Sequence, residues 1–414
     1  MKRNFAYTAV SVGSRMLVGV VLFLLLARLW GPETFGLYSY AFSMAALLIL
    51  VVDFGFVVYL MREVAAQPSQ AEFIVMEALR AKLMLLLLAL LVLWPVVFVS
   101  MQVSTPWSLV VPLLLAAALM SFGDFCVAPL RALGRFDLEA FNVTLGNAAQ
   151  FVLAGAVAWM GASPESVAWA TVLARLVFLL LAWRALQRVV PAFHWRLKPQ
   201  RSIKAAMRGV LPYGADGMLV TVWNQLDVIV VRWLFGLQGV GLYSAGQKIV
   251  LGVGALATVV GSVMVPRLAS QATRRDATFW RTATLTCALM SGIGLCFALP
   301  LWVAPASITN ALFGPSYSNL ATLLPWFGAA VLVRFVGASA GAVITGAGRQ
   351  ASRAMAQFVG LSFAALAVAM VAWLHAPLAA IIGAMVLGLF VTMLYTVWHI
   401  EQFRRTALNT ARKA

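Results

Sequence analysis

Gly31-Pro32-Glu33-Thr34-Phe35-Gly36-Leu37-Tyr38-Ser39 and, about half the chain later, Gly236-Leu237-Gln238-Gly239-Val240-Gly241-Leu242-Tyr243-Ser244 repeat one pattern, G-x4-G-L-Y-S. A long apolar run with helical character enters each copy and another leaves it. Each copy therefore reads as a short turn between two membrane spans. Because the sequence on both sides keeps the same offset, the duplicated object is a whole multi-span unit. The spans flanking the two turns decide the fold.

Composition agrees. Hydrophobic residues make up 63% of the 414 residues and charged residues 10%, whereas about a quarter of a soluble domain is charged. The bilayer is the expected solvent for most of this chain. A formal charge of +17 would suit nucleic acid if the Lys and Arg formed a patch. They instead punctuate the gaps between apolar runs, which reports membrane topology and excludes a nucleic-acid partner. Cys126, Cys287 and Cys296 all fall in apolar segments without metal-ligand spacing, so they read as free thiols and no metal or cofactor is expected. The apolar run after Met1-Lys2-Arg3-Asn4 is too long for the core of a cleaved leader and reads as an uncleaved first span.

Apolar runs of about 20 residues place spans 1 to 6 at roughly 7–29, 37–61, 79–101, 107–128, 138–160 and 166–187. Spans 7 to 12 fall at roughly 209–234, 240–265, 282–305, 319–344, 352–374 and 377–400. Most of the 30 basic residues sit in alternate loops, among them Arg62, Arg80, Lys82, Arg131, Arg135, Arg267, Arg349 and Arg353. Loops rich in Lys and Arg face the cytoplasm, so both termini are expected there. An even number of spans in each half makes the repeats parallel. The expected fold is an all-α integral membrane protein of about twelve transmembrane helices in two parallel-repeat six-helix bundles. Its expected parts are an N-terminal bundle (1–187), a basic cytoplasmic linker (188–208), a C-terminal bundle (209–400) and a cytoplasmic tail (401–414). A weaker echo, Leu133-Gly134-Arg135 against Ala347-Gly348-Arg349, follows the fourth span of each half.

Some charges lie within spans, where each costs roughly 2.5 to 3.5 kcal/mol even on a lenient insertion scale. Arg28 and Arg232 are close enough to span ends to reach the headgroups. Arg15, Lys248 and Arg334 are deeper. On span 1, Asn4, Thr8, Ser11 and Arg15 recur three or four residues apart and share a face. On span 7, Tyr213, Asp216, Val220, Asn224 and Asp227 do the same. Aligned on the repeat, the two stripes are related positions, so Arg15 is expected to look across at Asp216 and Asp227. On spans 2 and 8, Ser39, Ser43 and Asp53 correspond to Ser244, Lys248 and Thr258. These stripes fit a wet interior cavity, with internal ion pairs that only brace the bundles as the plainer reading. Asp124 is accounted for by capping or by pairing with Arg131, and Arg175 has no polar stripe beside it.

Leu29-Trp30-Gly31-Pro32-Glu33-Thr34-Phe35-Gly36-Leu37-Tyr38, Val52-Asp53-Phe54-Gly55, Leu211-Pro212-Tyr213, Asp227-Val228-Ile229-Val230 and Gly241-Leu242-Tyr243-Ser244-Ala245 carry a resemblance. The chain resembles the polysaccharide transporter branch of the multidrug/oligosaccharidyl-lipid/polysaccharide (MOP) exporter superfamily, in particular the O-antigen flippases (Wzx-like). The resemblance implies a MATE-like two-lobed transporter of the bacterial inner membrane working by alternating access. Its implied cargo is an undecaprenyl-pyrophosphate-linked oligosaccharide, with membrane lipid, a polysaccharide polymerase and chain-length proteins as its surroundings. On that footing Arg15, Lys248 and Arg334 are candidate contacts to the pyrophosphate. Asp53, Asp216 and Asp227 are candidates for ion coupling or charge pairing, and Ser11, Tyr213 and Asn224 for lining the cavity.

The alternative is a cation-coupled multidrug exporter of the MATE type. Coupling in some of those relies on a carboxylate in span 1, where this chain has Arg15. An enzyme is disfavoured because the sequence offers no nucleophile-base pair, metal cluster or nucleotide loop, and no loop large enough to hold one.

Overall fold

The computed structural model of the chain describes residues 2–101, 107–190, 203–273 and 278–413. Side chains are described for these except 2–5, 92–101, 203–206, 212–224, 255, 262, 273, 350–351 and 406–413. The described residues form helices and no strand: α1 (Lys2–Asp53), α2 (Phe56–Ala66), α3 (Ala71–Met101), α4 (Trp107–Ala132), α5 (Phe136–Trp159) and α6 (Pro164–Val189). They continue with α7 (Ile203–Thr273), α8 (Thr278–Val303), α9 (Pro305–Phe313), α10 (Leu324–Gly346), α11 (Gln350–Trp373) and α12 (Leu378–Lys413). Among the described residues, nine helices are long and apolar enough to cross a membrane. Two of these hold a pair of spans each, and α3 supplies a further helix where span 3 is expected. Each of the twelve expected spans thus coincides with helix, and the chain is a multi-pass membrane protein.

The two repeated turns are tighter than expected. α1 and α7 are each interrupted at a single residue, Gly31 (φ 72°, ψ 174°) and Gly236 (φ 68°, ψ −167°). A side chain at either position would be strained, because the Cβ clashes with the backbone at positive φ. Pro32 opens the second half of α1, where a missing N–H costs nothing.

The second glycine of each motif has a different task. A Cβ on Gly36 would fall on the carbonyl oxygen of Leu237 and stand 2.9 Å from the Gly241 nitrogen. A Cβ on Gly241 would fall on the carbonyl oxygen of Pro32. Pro32 and Leu237 occupy the same place in the two motifs, so the contact is reciprocal. In G-x4-G, then, the first glycine bends the helix and the second lets the two bends touch, backbone against backbone.

Span 2 departs from the expected continuous helix over 37–61. α1 ends at Asp53, the chain turns through Gly55 (φ 71°), and α2 begins at Phe56. By internal contacts the chain forms two compact units, Met1–Gly241 and Leu242–Ala414. The division falls at the second motif rather than at the linker, because the start of α7 packs onto the first unit. Val210 joins the core made by Phe56, Tyr59 and Leu60 of α2, Val75 and Leu79 of α3, Phe125 of α4, and Phe178 and Leu186 of α6. Most of the linker, residues 191–202, lies outside the described residues. In the second unit, Leu268, Phe279, Ala283 and Val343 form a core against which Trp280, Ile400 and Phe403 pack.

The short echo is also structural. Gly134 (φ 77°) and Gly348 (φ 76°) each end a helix in the left-handed conformation. In both copies the next amide reaches back five residues, Arg135 N–H to Leu130 O at 2.8 Å and Arg349 N–H to Ile344 O at 3.1 Å. This is the hydrogen-bond pattern of a glycine-terminated helix end.

The glycine contact makes a direct prediction. Gly36→Ala should destabilise the protein by about 1–3 kcal/mol, the range for overpacking a tight site, and lower its melting temperature in detergent. Gly19→Ala, where nothing lies within 4 Å of an added Cβ, should be neutral or mildly stabilising. Equal melting temperatures for the two variants would show that the motif glycines are not in contact.

Candidate functional site

Phe178 on α6 sets the geometry of the first unit's interior. A Cβ added at Gly123 on α4 or at Gly146 on α5 would run into its ring. With no side chain at either position, three helices close around one aromatic wedge. The residues beside these contacts are polar: Asp124 follows Gly123, Asn147 follows Gly146, and Arg175 lies one turn before Phe178. Close packing of small against large residues thus places the charges.

Arg15 projects from α1 to Asp124 as a two-pronged ion pair, Nη1 to Oδ2 at 2.9 Å and Nη2 to Oδ1 at 2.6 Å. Paired forks of this kind combine charge with fixed geometry. The pair retains access to a probe the size of water, with side-chain exposures of 35% and 23%. Arg175 is buried and donates to Gln150. It also lies within electrostatic reach of Arg15 and Asp124. Two guanidiniums therefore share one carboxylate. Ser14 accepts from Thr144 and Asn147, both at 3.4 Å, and extends the polar surface along α1 and α5.

A second group lies beside this one. Lys82, expected in a loop, is a residue of α3 whose side chain is 0% exposed. Its ammonium donates to Ser121 at 2.6 Å, Asp53 at 3.2 Å and the carbonyl of Val52 at 3.3 Å. Ser121 in turn donates to Asp53 at 2.5 Å, and the rings of Phe56, Phe122 and Phe125 stand 5.2 to 5.9 Å from the ammonium. The break after Asp53 explains the arrangement. A helix end leaves carbonyls without partners and carries negative charge, and here a carboxylate sits on that same end. Lys82 answers both.

Sequence-based expectations fare unevenly. Arg15 and Asp53 are half-buried in the first unit with the partners just named. Ser11 is buried, and its hydroxyl donates to Thr8 O at 3.1 Å. The carboxylate of Asp227, also buried, accepts from the amide of Val228 at 2.7 Å. Asp124 does not pair with Arg131, which instead bonds buried Glu139 at 2.5 Å. Arg15 takes Asp124 as its carboxylate, because α4 packs against α1. The side chains of Tyr213, Asp216 and Asn224 lie outside the described residues. Arg232, expected to reach the headgroups, lies over the Tyr40 ring at 5.9 Å.

In the second unit Lys248 is half-buried on α7. Arg334 is half-buried on α10 and lies along Gly254 of α7, with Nε 3.3 Å from where a Cβ would stand. Among the described residues, no carboxylate or hydrogen-bond acceptor is seen for Arg334. Lys82, Ser121, Asn147 and Gln150 were missed by the sequence reading. A signal existed for the last two, since Thr144, Asn147 and Gln150 recur every three residues along α5.

The sequence profile of a family described as polysaccharide biosynthesis protein matches residues 1–271, well over half of the chain. The chain belongs to that family. This polysaccharide biosynthesis family member finds no match among curated proteins. Solved structures of similar fold are transporters. One is the inward-facing conformation of a multidrug-resistance MATE family transporter of the MOP superfamily, with TM-score 0.69 and 16% identity, covering 94% of this chain and 95% of that one. Another is a MOP superfamily transporter from Pyrococcus furiosus, described as having a binding pocket of reverse polarity that suggests a different function. Its TM-score is 0.62 at 16% identity, covering 99% of this chain and 96% of that one. A eukaryotic MATE transporter gives TM-score 0.62 at 14% identity, covering 100% of this chain and 98% of that one. At such identities the likeness establishes the fold. Family and fold together make this chain a membrane transporter of the MATE-like, two-repeat class.

Lys82 gives the site its sharpest stability test. Lys82→Met leaves the Val52 carbonyl and Ser121 without their donor and the half-exposed Asp53 without its cation, which should cost about 1–3 kcal/mol. Adding Asp53→Asn in the same chain should recover part of that loss, since it removes the carboxylate left without its cation. Thermal unfolding in detergent reads both. No recovery in the double variant would mean that Lys82 serves the Val52 carbonyl alone.

Proposed function

We propose that this transporter is a lipid-linked oligosaccharide flippase. It moves undecaprenyl-pyrophosphate-linked glycan units across the bacterial cytoplasmic membrane by alternating access, for O-antigen, capsule or exopolysaccharide synthesis. The observation that carries the reading is the charge surplus inside the first unit. Among the described residues the cluster holds Arg15, Lys82 and Arg175 against Asp53 and Asp124, one more cation than carboxylates. Such a surplus is costly in hydrocarbon and suits an anionic cargo. A pyrophosphate offers the acceptor oxygens that guanidinium forks recognise, while a polyprenyl tail can stay in lipid.

The family description supports a glycan as the rest of the cargo. Arg15, Arg175, Lys248 and Arg334 are the proposed pyrophosphate contacts, with Ser11, Tyr213 and Asn224 proposed to line the path. Asp216 and Asp227 are proposed to balance charge between transport events. The alternating placement of Lys and Arg supports cytoplasmic termini, and a polysaccharide polymerase and chain-length proteins are the proposed neighbours. A net positive interior disfavours the cationic drugs that a MATE-type exporter would carry. The pocket of reverse polarity described for the Pyrococcus furiosus transporter is a precedent for such a change within one fold.

The test is flipping of a fluorescent lipid-linked oligosaccharide in proteoliposomes. The parent should flip it, and Arg175→Gln and Arg334→Gln should each slow it at least tenfold, as expected for loss of one charged hydrogen bond of about 1.5–3 kcal/mol. No flipping by the parent, with efflux of a cationic dye instead, overturns the reading in favour of a drug exporter.

A further inference from the structure

The pyrophosphate reading leaves a question of charge, because the arginine best placed for an anion already holds one. Among the described residues, the titratable and charged groups that reach Arg15 or Asp124 are Asp53 from α1, Lys82 from α3, Cys126 from α4, Glu139 from α5 and Arg175 from α6, and Tyr38 of α1 reaches Arg175. Asp53 is held by Lys82, and Glu139 by Arg131. Tyr38 shares a hydrogen bond with Thr171. Among the described residues, Asp124 is thus the carboxylate within electrostatic reach of two guanidiniums, Arg15 gripped by both its oxygens and Arg175 bound to the neutral Gln150. Both members of its pair with Arg15 are partly accessible, whereas in the Lys82 pair the cation is sealed and only Asp53 is open.

We propose that Asp124 is a resident stand-in for the substrate's phosphate: it occupies a two-arginine anion site formed by Arg15 and Arg175, and it leaves that site, taking up a proton, when the pyrophosphate arrives. The inference rests on the glycolipid reading above. Charge balance supports it. A pyrophosphate diester carries two negative charges, and Arg15 with Arg175 carries two positive ones. With Asp124 still ionised the filled site would be one charge too negative, which a low-dielectric interior resists strongly. With Asp124 protonated the site is neutral. The only bond made is O–H on the displaced carboxylate, its proton coming from water. When the cargo leaves, the proton leaves and the Arg15 pair re-forms. Asp124 also keeps Arg15 in its forked geometry while the site is empty, so the cargo meets an arginine already positioned.

The sign of the linkage is fixed. The empty site holds Asp124 ionised and the filled site holds it protonated, so binding takes up a proton and tightens as pH falls, by at most about tenfold per pH unit for one linked proton. The probe is a short-chain polyprenyl-pyrophosphoryl sugar, whose two phosphates keep fixed charge over the range used. Titration calorimetry on the detergent-purified full chain at about pH 5.5 and 7.5, in buffers of different ionisation heat, reads affinity and protons together.

For the parent we expect tighter binding at the lower pH and uptake of up to one proton per probe. Asp124→Asn should bind as tightly as the parent does at low pH and lose the pH dependence, and Asp124→Glu should retain it. An Asp124→Asn variant with the parent's pH dependence overturns the proposal, as does binding to the parent without proton uptake. That second readout needs no variant, so it decides the matter if Asp124→Asn fails to insert. Absence of binding to any of the proteins at either pH overturns the glycolipid reading itself and the exchange with it.

Discussion

A charged side chain surrounded by hydrocarbon has to find its countercharge within the protein, and in the first unit this requirement organises the packing. Neither Arg15 nor Lys82 can reach a carboxylate on its own helix. Asp124 comes to Arg15 because α4 lies against α1, and it can lie there because Gly123 and Gly146 leave room for Phe178 between α4, α5 and α6. Asp53 comes to Lys82 because α1 stops at Gly55 and turns its end toward α3. A larger residue at Gly123 or Gly146 would run into the Phe178 ring and press apart the helices that carry these charges. The apolar packing and the polar cluster are therefore one construction.

The two polar groups differ in what they leave open. Lys82 is enclosed by three aromatic rings, a hydroxyl, a carboxylate and a carbonyl, so its charge is spent within the fold. Arg15 and Arg175 share a single carboxylate among the described residues, and the Arg15–Asp124 pair is partly exposed. Bracing and binding can thus be told apart by whether the local sum of charge is zero and whether the groups can be reached. By that measure the Arg15 pair is the proposed site, while Lys82 caps a broken helix.

Much of this was legible in the sequence. Span lengths, the G-x4-G-L-Y-S repeat and the Gly-Arg echo each depend on residues close in the chain, and each became a helix, a glycine-centred bend or a helix end. Ion-pair partners depend on which helices are neighbours, which one sequence does not state. Asp124 was matched to Arg131 because both lie on the same helix. Lys82 was counted with Arg80 as a loop residue because α3 begins earlier than its apolar run. Arg175 looked isolated because its partners come from α4 and α5. The proposed face-to-face placement of Arg15 with Asp216 and Asp227 followed from repeat symmetry, whereas the carboxylate that Arg15 takes has no counterpart in the repeat at all.

The contact between the two motifs carries a consequence for how such a chain can arise. Gly36 meets the backbone of Leu237, Gly241 meets the backbone of Pro32, and each position touches the counterpart of its own partner. That is the form of an isologous dimer interface, in which one patch on a subunit is complementary to itself. A single ancestral copy bearing this glycine would make the contact with an identical twin, before any fusion of the genes. Once the copies were joined, the asymmetry seen in Asp53 and Lys248 was free to develop elsewhere, while the paired glycines had to stay as they were.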